Sequence, residues 1–115
     1  MPAIPQPPFS KSRRLGSTLY LSGELGFDAN GGLPEGIEAQ TRNCLERIKA
    51  TLEAEGLSLG KVVSCTCYLT DAADFQAFNA IYAGFFSAPL PVRTTVQSGL
   101  MLPAAKVEIT VIAEA

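Results

Sequence analysis

Two segments near the end of the chain constrain its fold more than any other feature. Residues 93–98 and 107–113 each alternate apolar and polar side chains, a period of two that is typical of half-buried β-strands. Each also carries a charge that a core strand does not need, Arg93 in the first and Glu108 in the second. An arginine can bind a planar carboxylate through two parallel hydrogen bonds, and a glutamate can orient a water or move a proton. We therefore treat Arg93 and Glu108 as a candidate functional pair on adjacent strands.

The rest of the chain predicts a sheet with two helices. We expect strands at 9–15 and 18–22 around a Gly16–Ser17 turn, a helix over 36–55, a strand over 61–69 and a helix over 72–86. Connections through helices are too long for hairpins, so some strand pairs should be parallel. The prediction is one two-layer α+β domain over residues 1–115, with a mixed sheet and both helices on one face. Residues 1–8 are proline-rich and are expected to be extended.

Spacing along the elements predicts which side chains form the core. The first helix carries one apolar stripe at spacings of three and four, consisting of Ile37, Thr41, Cys44, Leu45, Ile48 and Leu52. The second carries an aromatic stripe, consisting of Phe75, Phe78, Tyr82 and Phe85, for which core packing is the default. Asn79 lies beside that stripe, where it can edge a pocket. In the strand over 61–69, alternation places Val63, Cys65, Cys67 and Leu69 on one face.

Composition excludes several classes of function. The chain has no histidine and a net charge of -2, which removes the commonest general base and zinc ligand and argues against nucleic acid as the main partner. The three cysteines are too few for a metal site, and we interpret them as buried apolar residues in a reducing compartment. No apolar run is long enough for a membrane span, and the N-terminus lacks the pattern of a secretory signal. We therefore expect a cytoplasmic protein.

One face of the predicted sheet has no helix to cover it. Thr66, Tyr68, Thr110 and Ile112 would point outward on that face. A mixed apolar surface of this size is usually an interface, so the residues predict a homo-oligomer with closed symmetry. At the end of the first hairpin, Gly23 would let a ligand approach the backbone. An ordinary turn explains Gly23 equally well.

Several motifs together resemble the Rid family, also called the YjgF family. They are Leu19-Tyr20-Leu21-Ser22-Gly23, Glu38-Ala39-Gln40-Thr41-Arg42, Asp74-Phe75 with Asn79, Tyr82 and Phe86, Pro91-Val92-Arg93-Thr94-Thr95-Val96, Leu102-Pro103 and Val107-Glu108-Ile109. The resemblance runs from about Phe9 to Ala113. It implies a chorismate-mutase-like protomer in a homotrimer whose sheets line a central β-barrel, with active sites in the clefts between subunits. It also implies a RidA-like deaminase without cofactor or metal, which hydrolyses 2-imino and enamine acids such as 2-aminoacrylate to 2-keto acids and ammonia.

The resemblance assigns roles to individual residues. Arg93 matches the residue that binds the substrate carboxylate, and Glu108 the one that orients the attacking water. The implied substrate-binding positions are Ser22, Gly23, Asn79, Thr95 and Phe9. Thr95 stands where many members have a cysteine with a backbone role, and Phe9 where RidA-type members commonly have a tyrosine. Thr110 occupies a position that is often acidic in the family.

Two alternatives remain at this stage. A non-catalytic or regulatory member that binds a small carboxylate would need only Arg93. A ribonuclease, an activity often attached to the family, is poorly supported, because Lys11, Arg13 and Arg14 form the only basic cluster.

Overall fold

The computed structural model describes residues 7–115, so most of the predicted extended segment 1–8 lies outside the described residues. The strands are β1 (Ser12–Leu15), β2 (Thr18–Leu21), β3 (Glu24–Leu25), β4 (Val62–Leu69), β5 (Val92–Gln97) and β6 (Val107–Glu114). The helices are α1 (Ile37–Ala54) and α2 (Phe75–Ala83). Short 3-10 turns at Leu59–Lys61 and Ala72–Asp74 precede β4 and α2.

The six strands form one mixed sheet in the order β1-β2-β6-β4-β5, and β3 also pairs with β6. Only the β4–β5 pair is parallel, and its two strands are joined through α2. That connection is the predicted helical crossover, and the β1–β2 hairpin turns at Gly16, whose φ is 60°. The short strand β3 was not predicted, because two residues are too few to show a period.

The core lies between one face of the sheet and the two helices. The predicted stripe of α1 is buried throughout, at Ile37, Thr41, Cys44, Leu45, Ile48 and Leu52. Strand β6 alternates strictly, with Val107, Ile109 and Val111 buried and the residues between them half-buried. All three cysteines are buried and free, which confirms their predicted packing. The two-layer α+β arrangement is therefore as expected.

Two core predictions were wrong. Val63 is 47% exposed, whereas Val62 is buried, because the pairing of β4 with β6 shifts between Val62 and Ser64 and reverses the alternation there. Phe75 is 42% exposed, because it opens α2 directly after the 3-10 turn. The turn itself is capped by Asp71, whose side chain accepts a hydrogen bond from the Ala73 amide at 2.9 Å.

A buried glutamine ties α1 to the loop that leads into β6. Gln40 is 1% exposed, and its Nε2 donates to the carbonyls of Pro34 (2.8 Å) and Ala104 (2.9 Å). Its Oε1 accepts from the Lys106 amide at 2.8 Å. A Cβ on Gly26 would lie 2.6 Å from the Gln40 Cα, so β3 ends with the backbone pressed against α1. These contacts fix the loop that leads into β6 and the end of β3, which both adjoin Glu108.

The second face of the sheet has no helix against it. Thr66, Tyr68, Thr110 and Ile112 are half-buried there, and Tyr20 is exposed. Their outward orientation agrees with the sequence pattern. Neither helix of residues 7–115 combines the length and apolar character needed to cross a bilayer.

Candidate functional site

Arg93 lies at the edge of the sheet with its guanidinium over aromatic rings. Its Cζ is 4.7 Å from the ring centroid of Tyr82, 5.6 Å from that of Phe78 and 5.7 Å from that of Phe75. Strand β5 supplies the arginine and α2 supplies the rings. Within residues 7–115, β5 is an edge strand that pairs only with β4. Within residues 7–115 no carboxylate forms a salt bridge with Arg93. The rings orient the cation and leave its N–H groups free to bind an anion.

A cavity of about 460 Å³ opens beside this arginine. It is lined by Asn79, Tyr82, Ala83, Phe86, Leu90, Pro91 and Arg93. Its size and its mostly apolar wall with a few polar groups are those of a small-molecule site. Asn79, which was predicted to edge a pocket, lies in the wall of this cavity.

Several polar atoms near Arg93 are buried without a well-aligned hydrogen bond within the described residues. They are the Oδ1 of Asn79, the hydroxyl of Tyr82 and the Oγ1 of Thr95, of which the last two lie against the weakly bonding thiols of Cys65 and Cys67. Thr95 pairs with Cys67, and Arg93 with Cys65, across β4 and β5. The side chains of Cys65, Cys67, Arg93 and Thr95 therefore all lie on the face of the sheet that packs against the helices. We call Asn79, Arg93 and Thr95 the cationic half-site.

The cysteines under this half-site are not poised as nucleophiles. Burial raises the pKa of Cys67 to about 12, although the positive charge of Arg93 acts in the opposite direction. Burial likewise raises the pKa of Cys65. A thiol must ionise to attack, so both residues act as apolar packing at neutral pH.

Glu108 lies on the opposite face of the sheet, against the backbone of Gly23. A Cβ built on Gly23 would collide with the Glu108 carboxylate, approaching Cδ at 3.0 Å, and would lie 3.1 Å from the Thr110 Oγ1. Strand β3 brings about this approach, because Glu24 and Leu25 pair with Ile109 and Glu108 of β6. The close approach of Glu108 therefore explains the glycine at position 23 better than an ordinary turn does.

Ser22 connects this region to the N-terminal segment. Its hydroxyl donates to the Ser10 carbonyl at 2.6 Å, and its amide donates to the Lys11 carbonyl at 3.0 Å. Phe9 precedes this tether and is 60% exposed. We call Phe9, Ser22, Gly23 and Glu108 the acidic half-site.

A smaller cavity adjoins Glu108. It measures about 180 Å³ and is lined by Tyr68, Ser98, Gly99, Leu100, Met101 and Glu108. Tyr68 pairs directly with Glu108 across β4 and β6. Sequence analysis placed Tyr68 on this face but not at the site. The signal that identifies it is the β4–β6 register, which the sequence does not display.

The expectation that Arg93 and Glu108 lie on adjacent strands was wrong. Strand β4 separates β5 from β6. Arg93 pairs with Cys65 of β4, and Cys65 pairs in turn with Val111 of β6. Val111 lies three residues after Glu108, which pairs with Tyr68. Two strand spacings and three residues place their Cα atoms roughly 14 Å apart. The two side chains also point away from each other, Arg93 toward the helices and Glu108 toward the bare face. One chain cannot close both around the same small molecule.

Sequence reasoning also missed the support of Arg93. Tyr82 and Phe78 were assigned to the core, and both are buried, yet their rings also form the surface on which the guanidinium rests. The spacing of the aromatic stripe gives the face of α2, but not the strand that packs beside it. Among residues 7–115, no cluster of three or more cysteine, aspartate or glutamate side chains is arranged to hold a metal ion.

Comparison with known proteins adds a family and relatives. A family model described as Endoribonuclease L-PSP matches residues 2–115. A RutC family protein of Saccharolobus solfataricus is 41% identical over 109 residues, covering 93% of this chain and 86% of the relative. The chloroplastic Reactive Intermediate Deaminase A of Arabidopsis thaliana is 38% identical over 108 residues, covering 92% of this chain and 58% of the relative.

The fold has close structural counterparts. The crystal structure of RidA from an Antarctic Psychrobacter superposes with a TM-score of 0.91 at 37% sequence identity. The match covers 97% of this chain and 92% of the other. At this coverage the likeness extends over the sheet and both helices.

Proposed function

Because the chain belongs to the Rid (YjgF) family, we propose that it is a deaminase that hydrolyses reactive 2-imino and enamine acids, such as 2-aminoacrylate, to 2-keto acids and ammonia. The observation that carries this proposal is Arg93, a cation without a carboxylate partner among the described residues that rests on three rings beside a cavity. The deaminase name of the Arabidopsis relative supports the reaction type.

Each half-site has a role in this reaction. Arg93 binds the substrate carboxylate through two hydrogen bonds, while Asn79 and Thr95 line the site around it. Ser22 and Gly23 form the backbone wall opposite, and Phe9 covers it. Glu108 orients a water and accepts its proton as the water oxygen attacks C2.

The reaction balances without a cofactor. An enamine first takes a proton at C3 to become the imine. Water then adds across the C=N bond to give a carbinolamine, and the proton held by Glu108 passes to nitrogen. The C–N bond breaks, ammonia leaves, and the hydroxyl loses its proton to give the 2-keto acid. Positioning and one oriented water suffice, because the protonated imine is already electrophilic.

The positions of the half-sites support a site shared between two subunits. Arg93 and Glu108 face away from each other within one chain, so we infer that a complete site combines the cationic half-site of one protomer with the acidic half-site of another. We propose a homotrimer in which the bare sheet faces line a central barrel. Light scattering coupled to size exclusion should give three times the mass of the chain, and a monomer with full activity would contradict the arrangement.

The activity test uses 2-aminoacrylate generated in place by a serine dehydratase. Its disappearance is followed with and without the protein. We expect acceleration by wild type and loss of at least ~100-fold in Arg93→Ala, since about 2.7 kcal/mol of charge-assisted binding is removed. Arg93→Lys keeps the charge but loses the planar pair of hydrogen bonds, so it should fall between them. Acceleration that survives Arg93→Ala would refute the site. Carboxylate binding without turnover would favour a regulatory binder.

A further inference from the structure

The charged side chains of residues 7–115 form one salt bridge, and it lies beside the acidic half-site. Although the chain carries 9 lysines and arginines and 11 acidic residues, only Arg47 and Glu24 pair within the described part of the chain. The Nε of Arg47, on α1, donates to the Oε1 of Glu24, on β3, at 2.7 Å. We propose that Arg47 is a positioning residue, which through Glu24 keeps the Glu108 carboxylate over Gly23. This inference rests on the proposed deaminase function and adds a residue to the same site.

Strand β3 is too short to fix its own position. It has two residues and, among the described strands, pairs only with β6, whereas most strands are about five or six residues long. Side chains of α1 supply further contacts from the other side. The Cys44 Sγ donates to the Glu24 carbonyl at 3.0 Å, and the Asn43 Nδ2 donates to the Gly26 carbonyl at 3.3 Å. With Arg47, these residues lie within one turn of α1 and hold β3 against the helix.

The ion pair is the contact whose loss would displace β3. The Glu24 side chain is 15% exposed and that of Arg47 is 36% exposed, so water screens the pair less than it screens a surface pair. The Arg47 Cζ also lies 5.7 Å from the ring centroid of Phe27, which orients the guanidinium at the end of the same segment. Without Arg47 the Glu24 carboxylate would be left largely buried and unpaired. We expect β3 to shift so that this carboxylate reaches water.

A shift of β3 reaches Glu108 through the backbone of Gly23. Leu25 pairs with Glu108, and a Cβ on Gly23 would approach the Glu108 Cδ at 3.0 Å, so the carboxylate rests on the segment that Arg47 holds. Arg47 itself lies on the helix side of the sheet and cannot reach a substrate on the bare face. Misplacement of a catalytic group by about 1 Å can lower a rate about 100-fold. A remote ion pair can therefore control how well Glu108 orients water.

Kinetics of an Arg47 variant test this role. Arg47→Met keeps the length of the side chain but removes its charge and N–H groups. We expect kcat to fall about tenfold or more while KM stays within about twofold, because Arg93 still binds the substrate carboxylate. Lys49→Met removes a cation from an exposed position of the same helix and should leave both constants near wild type. A raised KM at constant kcat, or equal effects of the two variants, would contradict the inference.

Neutralising Glu24 tests whether the two residues act as a pair. The amide of Glu24→Gln can still accept the hydrogen bond from Arg47, so its kcat should fall less than that of Arg47→Met. Adding Glu24→Gln to Arg47→Met removes the stranded carboxylate, and kcat should recover in part. Losses that multiply in the double variant would mean that the two residues act independently, which would overturn the proposal.

The carboxyl carbon of Glu108 provides a measurement that needs no turnover. In protein labelled with 13C at glutamate carboxyl groups, its NMR signal is identified by its absence from Glu108→Gln. The signal should shift in Arg47→Met and stay in place in Lys49→Met. If the wild type hydrolyses no imine but the signal shifts, the deaminase proposal alone fails. If imines are hydrolysed but the signal does not move in Arg47→Met, the positioning role alone fails.

Discussion

Arg93 and Glu108 lie on opposite faces of one sheet, separated by β4, with the arginine over Tyr82 and the glutamate over Gly23. A cation and a carboxylate in this relation cannot meet on one small substrate. We propose that they meet across an interface between two copies of the chain. This geometry makes the oligomer part of the proposed catalytic site.

Mixed oligomers provide the most direct test of that relation. Arg93→Ala and Glu108→Gln chains are each expected to be nearly inactive alone. Proposed trimers that contain both chains should recover roughly a third of wild-type activity, because one of their three interfaces combines an intact Arg93 with an intact Glu108. The measurement is 2-aminoacrylate hydrolysis by co-expressed, differently tagged chains purified through both tags. Activity no higher than that of the parents would place both residues in one protomer.

Gly23→Ala should disturb Glu108 specifically. The added Cβ meets the Glu108 carboxylate, the far end of a flexible side chain that can turn away, so we expect kcat to fall about tenfold or more while stability falls by less than about 1 kcal/mol. Denaturant unfolding and steady-state kinetics measure the two effects. Gly60→Ala is the control, because its Cβ would meet only the Ser58 Oγ, at 3.6 Å. A wild-type kcat in Gly23→Ala would contradict displacement of the Glu108 carboxylate.

Gln40→Met should destabilise the fold more than any exposed glutamine change. The substitution keeps the length of the side chain but leaves the Pro34 and Ala104 carbonyls and the Lys106 amide without their partner. Buried unpaired groups cost about 1–3 kcal/mol each, so we expect a total loss of about 3 kcal/mol in urea unfolding at fixed protein concentration. Gln76→Met, on the exposed side of α2, should stay within about 0.5 kcal/mol of wild type. A similar small effect at Gln40 would contradict the role assigned to it.

Tyr82 variants separate the ring from the hydroxyl. Tyr82→Phe keeps the ring beneath Arg93 and removes only a hydroxyl that lies against the Cys65 thiol, so its KM should remain near wild type. Tyr82→Leu removes the ring, and loss of about 0.5–2 kcal/mol of cation–π interaction should raise KM by roughly 2–30-fold. The measurement is KM and kcat for one imine at constant pH. Equal KM values in the two variants would show that the ring does not position Arg93.

Stability should decrease at alkaline pH because of the buried thiols. Burial raises the pKa of Cys67 to about 12 in the folded chain, whereas an unfolded thiol ionises near about 8.5. Between these values the unfolded state binds fewer protons, so stability is complete below about pH 8.5 and falls as pH rises, by up to about 1.4 kcal/mol per pH unit for each such thiol. Thermal unfolding from pH 7 to 10 measures the slope. Cys67→Val should reduce it, and an unchanged slope would exclude Cys67 as a source.

Much of the fold follows from local pattern. The period of two in β6 and the stripe of α1 gave the buried residues of both elements, because burial of one face imposes that period directly on the sequence. Gly16 marked the hairpin turn for a similar reason, since its φ of 60° suits glycine. Val63 and Phe75 were wrongly predicted to be buried. A pairing irregularity in β4 and a 3-10 turn before α2 change which residues face the core, and neither has a local sequence signal.

The sequence by itself determined which residues are unusual: an arginine and a glutamate on half-buried strands, a glycine after the first hairpin, and an asparagine beside an aromatic stripe. Only the tertiary structure decided how these residues are distributed between two faces. Strand order and register depend on pairings between residues far apart in the chain, and a single displaced strand reverses or separates side chains that look adjacent in sequence. Because β4 lies between β5 and β6, Arg93 and Glu108 belong to two separate half-sites, although they look like a pair in the sequence.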